Sequence, residues 1–179
     1  MKFLMLFVLL AVSMFANELK LKDGSVSALT GVLGDAKINP QNNFLNAKLS
    51  MSGNELTSIR GTISVEMLRF KSDNEDRDEN MYQTLESDKF TYSTYTINNI
   101  ISTETKDNYV LNGNLKLHGV IKPVNFDAII TQNGTSITID AKTKINVEDY
   151  NIDMPCLLGF TMCVDENVNI HGVTVLEQN

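Results

Sequence analysis

Few side chains in this 179-residue chain invite chemistry, and their spacing turns most of them away from it. The two histidines are His118 and His171, and neither stands at a metal-ligand spacing from the other or from a cysteine. Each reads as a satisfied or solvated histidine. The acids Asp73, Glu75, Asp76, Asp78 and Glu79 lie close together, but a calcium loop needs oxygen ligands at alternate positions around a central glycine. That run reads instead as the solvated start of a helix. Cys156 and Cys163 bracket six residues, which fits neither a zinc knuckle nor a redox pair separated by two residues. No strained nucleophile turn, phosphate loop or dinucleotide fingerprint occurs. A serine, histidine and acid brought together only by folding would leave no local trace, and nothing local supports one.

The N-terminus carries an address. Lys2 precedes an apolar run from Phe3 to Val12, and the small residues Ser13 and Ala16 follow it. This is the layout of a secretory signal peptide over residues 1–16, with cleavage expected near Ala16–Asn17. Ten apolar residues are too few to span a bilayer, which takes about 20. Residues 17–179 are then expected to form one exported domain, periplasmic or secreted. In that compartment a disulfide between Cys156 and Cys163 is the natural reading. Two buried free thiols are the alternative.

A formal charge of −7 at pH 7 argues against a nucleic-acid partner, because an acidic surface repels phosphate backbones. With 42% hydrophobic and 21% charged residues the chain has enough apolar content for a core and too little charge for disorder.

Period-two alternation dominates the rest. Leu111, Gly113, Leu115 and Leu117 share one face, with Asn112, Asn114 and Lys116 on the other. Val124, Phe126, Ala128 and Ile130 repeat the pattern, as do Ile137, Ile139, Ala141 and Ile145. So do Leu45, Ala47, Leu49 and Met51, and also Ile59, Ile63, Val65 and Met67. Turn signals separate these runs: Gly53-Asn54, Gly119 to Pro123, and Asn133-Gly134, a strong hairpin signal. Pro123 suits the first position of a strand. One segment differs: residues 74–87 are rich in helix formers, with acids at the start where the helix dipole favours them. Asp73 is the expected N-cap, and Arg77, Met81 and Leu85 fall on one face at spacing four. About seven to nine antiparallel strands and one helix fit a barrel or a sandwich. Closure into a barrel removes exposed edges and is the preferred reading.

A small barrel fills its interior or holds one ligand. The residues expected to line such an interior are Met51, Ile63, Val65, Met67, Phe90, Tyr92, Tyr95, Leu111, Leu115, Leu117, Phe126 and Ala128. Methionine and aromatic groups accommodate a flexible guest. The same residues also suit a solid core, and composition does not separate the two.

Three stretches resemble one family. Arg77-Asp78-Glu79-Asn80-Met81 is similar to an Arg-Asp-x-His-(Leu/Met) run in the YceI-like proteins, which are exported bacterial lipid binders. Leu115 to Val124, reading LKLHGVIKPV, is similar to that family's Leu-Thr-(Ile/Leu)-(Arg/His)-Gly-Val-Thr-Lys-Pro-Val. Asp149-Tyr150-Asn151-Ile152 stands where the family has Asp-(Phe/Tyr)-Gly-Ile. The departures are Asn80 for the usual His, Thr91 for a common Pro, and Asn151 for Gly. The resemblance spans most of residues 25–176. It implies an all-β, eight-stranded antiparallel lipocalin-like barrel with one short helix and an apolar tunnel. It also implies a non-catalytic carrier of an isoprenoid, fatty acid or fatty amide, with no other cofactor.

The expected partner is therefore an amphiphilic small molecule, with transient membrane contact and a monomer or homodimer. Arg77 and Lys122 are candidate partners for an anionic head group, and a pairing of Arg77 with a nearby carboxylate is the equal alternative. The rival readings are a lipid hydrolase or isomerase in the same cavity, and an electron-transfer accessory binding a haem or an isoprenoid quinone.

Overall fold

A computed structural model describes residues 16–32, 36–157 and 162–178. The expected leader falls almost wholly on residues 1–15, outside the described residues. Eight strands run β1 (Ala16–Val32), β2 (Leu45–Ser52), β3 (Arg60–Glu66), β4 (Tyr92–Ser102), β5 (Asn108–Leu117), β6 (Val120–Asn133), β7 (Ser136–Asn146) and β8 (Asn167–Gln178). Each pairs antiparallel with the next, and β8 returns to β1 from Leu19↔Gln178 to Leu29↔Asn169. The sheet is thus a closed eight-stranded barrel. Closure pairs each strand on both sides for part of its length, with local free stretches such as the start of β6.

The turns follow from residues that tolerate positive φ. The β5–β6 hairpin closes with Leu117 opposite Val120, so His118 and Gly119 form a two-residue turn with φ of 48° and 77°. Positive φ at both positions matches the twist of a tight hairpin. The strand therefore starts at Val120, and Pro123 sits inside it rather than at its head, opposite Asn114. β7 joins β6 only from Asp127 onward, so Pro123 lies on a locally free edge, where its missing N–H costs no ladder bond. The β6–β7 turn is centred on Gly134 and Thr135, one residue later than the Asn133-Gly134 signal.

The helix α1 (Glu75–Thr84) crosses from β3 to β4 over one end of the barrel. Its N-cap is Asn74, not Asp73: the Asn74 side chain accepts from the Arg77 N–H at 2.8 Å. Asp73 instead accepts from Arg77 Nη1 at 2.8 Å. A one-turn 3-10 segment, Val147–Tyr150, ends on Asn151 with φ of 58°, a left-handed position that Asn fills in place of glycine. A short hairpin of Cys156–Leu157 with Met162–Cys163 follows and carries a disulfide between its two cysteines.

Inward-facing residues fall into two groups. One end is filled by Leu19, Leu49, Met51, Ile59, Ile97, Ile100, Ile130, Ile137, Ile139 and Leu176, with Phe126 and Ala128. Toward the end under α1, Val65, Met67, Phe70, Leu115, Leu117, Ile145, Val147, Tyr150, Ile152 and Val168 form a second cluster.

Candidate ligand cavity

A band of small side chains opens the second end. Val26 on β1 lies opposite Gly172 on β8, Gly172 opposite Ala141 on β7, and Ala141 opposite Ala128 on β6. Four neighbouring strands thus present little volume at one level. Side chains in a well-packed interior interdigitate to high density, so a layer of small groups leaves space unless the opposite wall fills it. The opposite wall does not. The result is a cavity of about 750 Å³, within the range of sites that bury a small ligand. It is lined by Ile63, Val65, Met67, Leu111, Leu115, Leu117, Phe126 and Ile170, with Val26, Ala141 and Gly172 of the thin band; Ala128, the band's fourth member, packs into the filled end. Leu111 and Leu117 both line it; six residues of strand span about 20 Å, so the cavity runs deep.

Tyr95 forms the floor. Its ring packs on Phe126 with centroids 4.7 Å apart, and its hydroxyl lies 2.9 Å from the Leu111 carbonyl and 3.0 Å from that of Val124, donating between them. Burial pushes the Tyr95 phenol well above its ordinary range, so it stays a neutral donor. Gly113 makes this possible. A Cβ there would sit 2.2 Å from the Thr96 carbonyl oxygen and 2.5 Å from the Tyr95 ring.

The mouth is built from three pieces. From α1, Arg77, Met81 and Leu85 all line the cavity, as their spacing of four placed them on one face. Lys37, Ile38 and Pro40 come from the segment after β1, and Met154, Pro155 and Val164 flank the disulfide hairpin. Among described residues, Asp78 is the one buried charged side chain, 3% exposed, and it also lines the cavity. It accepts from the Ser72 N–H at 2.8 Å, with Lys71 Nζ farther off at 3.9 Å.

Eight of the twelve expected lining residues line the cavity: Ile63, Val65, Met67, Tyr95, Leu111, Leu115, Leu117 and Phe126. Four do not. Met51 and Ala128 are buried in the packed end. Tyr92 has the opposite parity from Tyr95 on β4, so it points outward and is 57% exposed. Phe90 precedes β4 and covers Gly119, where a Cβ would lie 2.7 Å from its ring. Of the two candidate head-group cations, Arg77 lines the cavity and makes the alternative carboxylate pairing, with Asp73 at 2.8 Å, whereas Lys122 lies outside the lining and donates to Asp149 at 2.8 Å.

His118 is a satisfied histidine. It sits in the β5–β6 turn with its side chain 11% exposed. Its Nδ1 lies 3.0 Å from the Tyr150 carbonyl and its Nε2 2.8 Å from a Glu86 carboxylate oxygen, with Phe90 edge-on at 4.2 Å. The histidine thereby joins the C-terminal end of α1, the turn and the Val147–Tyr150 segment. Burial, with the Asp149 carboxylate nearby, pushes the Tyr150 phenol up to about 12. His171 pairs with Asp140 at 2.9 Å. Among the described residues no group of three or more His, Cys, Asp or Glu is placed to hold a metal ion.

A model of the YceI-like domain matches residues 19–176. The chain belongs to the YceI-like family. Burkholderia cenocepacia BcnA is similar in structure, with a TM-score of 0.75, 15% identity, and coverage of 85% of this chain and 95% of that one. A polyisoprenoid-binding domain from Saccharophagus degradans, implicated in plant cell wall breakdown, gives 0.66 at 12% identity, covering 92% and 99%. The Campylobacter jejuni YceI protein gives 0.62 at 16% identity, covering 76% and 81%. No curated protein matches the chain by sequence. Within this YceI-like chain, the Gly-Val-x-Lys-Pro-Val stretch is the turn and edge strand that His118 fastens to α1.

Proposed function

We propose that this YceI-like protein is an exported, non-catalytic carrier that holds one long-chain amphiphile in the barrel, its leader removed near Ala16. The observation that carries this reading is the deep cavity of about 750 Å³, walled by aliphatic and aromatic groups and opening under α1. Each methylene moved from water into such a wall contributes about 0.8 kcal/mol. A dozen therefore gain on the order of 10 kcal/mol, from which the costs of association are subtracted. The polyisoprenoid-binding neighbour supports an isoprenoid or alkyl chain as the guest. Asp78, buried on the lining, offers carboxyl oxygens to a head group that donates hydrogen bonds, such as an alcohol or an amide. Neither histidine is on the lining, which weighs against a histidine-activated hydrolase and against haem ligation in this cavity.

The test is Leu115→Trp, which fills the cavity without adding charge. The variant is expected to lose binding of a pyrene-labelled long-chain alcohol while its melting temperature changes little. Undiminished binding by the folded variant would contradict the reading.

A further inference from the structure

The outside of the cavity's mouth differs from the rest of the surface. Among the described residues six large apolar side chains are exposed, and four of them lie at this end: Phe44, Leu68, Tyr92 and Ile121. Their positions follow from the strand registers. Phe44 precedes Leu45, which pairs with the cavity-lining Val65, and Leu68 follows the lining residue Met67. Tyr92 lies opposite Glu66 on the outer face and precedes the lining residue Ser93. Ile121 lies opposite Lys116, between the lining residues Leu115 and Leu117. The belt crosses five adjacent strands, four spacings of about 4.8 Å, or roughly 19 Å. Phe44 and Ile121 are 61% and 64% exposed, so the belt is open to whatever meets the mouth.

The three cation–aromatic pairs among the described residues stand beside it. Arg69 lies 4.5 Å over the Phe44 ring, Lys89 4.7 Å over Phe90 and Lys71 5.2 Å over Tyr82. Aromatic rings and long cationic stems side by side suit the interfacial layer of a bilayer, where rings reach the acyl boundary and charges stay among the head groups. Most cations near the belt have acid partners: Arg69 pairs with Glu66, Lys89 with Glu86, Lys71 with Asp78 at 3.9 Å and Lys122 with Asp149, while exposed Lys116 lies opposite Ile121. α1 adds exposed Glu75 and Glu79, and the exposed Asp76 stands on the cavity lining at the mouth itself. A mixed-sign belt under an acidic helix complements a zwitterionic surface and opposes an anionic one.

Resting on the carrier reading above, we infer that the belt of Phe44, Leu68, Tyr92 and Ile121 docks the mouth onto a zwitterionic lipid surface, so that the guest passes between bilayer and cavity without crossing water.

The experiment compares the full chain with a Phe44→Ser/Tyr92→Ser/Ile121→Ser variant, whose changes are all on exposed positions. Phosphatidylcholine vesicles carrying a pyrene-labelled long-chain alcohol donate it to the protein. The unmodified protein should co-float with the vesicles, and its uptake rate should rise in proportion to vesicle concentration. The triple variant should lose at least tenfold in rate while its equilibrium affinity for the alcohol is unchanged. Replacing half the lipid with phosphatidylglycerol should slow uptake at low salt. A rate independent of vesicle concentration, a triple variant as fast as the parent, or faster uptake from anionic vesicles would overturn the inference. Co-flotation is read even if the alcohol does not bind, so a failed carrier reading and a failed docking surface give different results. Self-association through the belt with no co-flotation would also overturn it.

Discussion

The two ends of this barrel are built from the same alternation and do opposite things. At the packed end, inward positions are mostly Leu, Ile and Met, and Met51, Ile59, Ile130, Ile137 and Leu176 are fully buried. At the other end the same strands carry Val26, Gly172 and Ala141 at one level, and space results. Tyr95, seated on Gly113, divides the two. A barrel interior thus becomes core or container according to side-chain volume at each level, with no change of backbone plan.

Matched truncations on either side of Tyr95 are the strongest way to break this comparison. Leu176→Ala removes a fully buried side chain from tight packing and should cost about 3–5 kcal/mol. Leu115→Ala only widens an existing cavity and should cost about 2–2.5 kcal/mol, the transfer part alone. Urea unfolding of both variants checks the pair, and equal losses would mean that the two ends are packed alike. Next comes the divider. Gly113→Ala puts a methyl against the Thr96 carbonyl and the Tyr95 ring, and should destabilise by about 1–3 kcal/mol while displacing Tyr95. A near-ultraviolet tyrosine signal unchanged from the parent would argue against that displacement.

The neighbouring alanines sharpen the contrast. Ala128 and Ala141 are partners across β6 and β7, but only Ala141 lines the cavity. Ala128→Leu should overpack and cost about 1–3 kcal/mol, whereas Ala141→Leu should cost under about 1 kcal/mol and reduce alcohol binding. Thermal melts with binding titrations distinguish them. The smallest effect is at high pH. Folding raises the Tyr95 and Tyr150 phenols, so the stability this reflects is complete below pH ~10 and falls as pH rises toward about 12. Tyr150→Phe should flatten part of that fall.

Much of the barrel was legible in sequence because parity is local. The alternation in Leu111–Leu117 and Val124–Ile130 placed those side chains inside, and the spacing of Arg77, Met81 and Leu85 placed them on one helix face. Parity also held the error: Tyr92 and Tyr95 were grouped although strand geometry puts them on opposite faces. The Gly119 to Pro123 signal implies a longer turn than the chain makes, because positive φ at His118 lets the hairpin close in two residues. The cavity's position was not legible, because the level shared by Val26, Gly172, Ala141 and Ala128 exists only in the registers of distant strands. The same holds for the link from Glu86 through His118 to Tyr150, and for Asp78, whose burial depends on how α1 settles over the mouth.

The central claim is that the hollow end holds an amphiphilic chain, and its most direct measurement is mass spectrometry of an organic extract from the natively purified protein. A single-chain lipid or isoprenoid near one equivalent per protein is expected, absent from a parallel Leu115→Trp preparation. An equal lipid yield from both preparations would contradict the account. So would a lipid-free parent protein that takes up no pyrene-labelled alcohol.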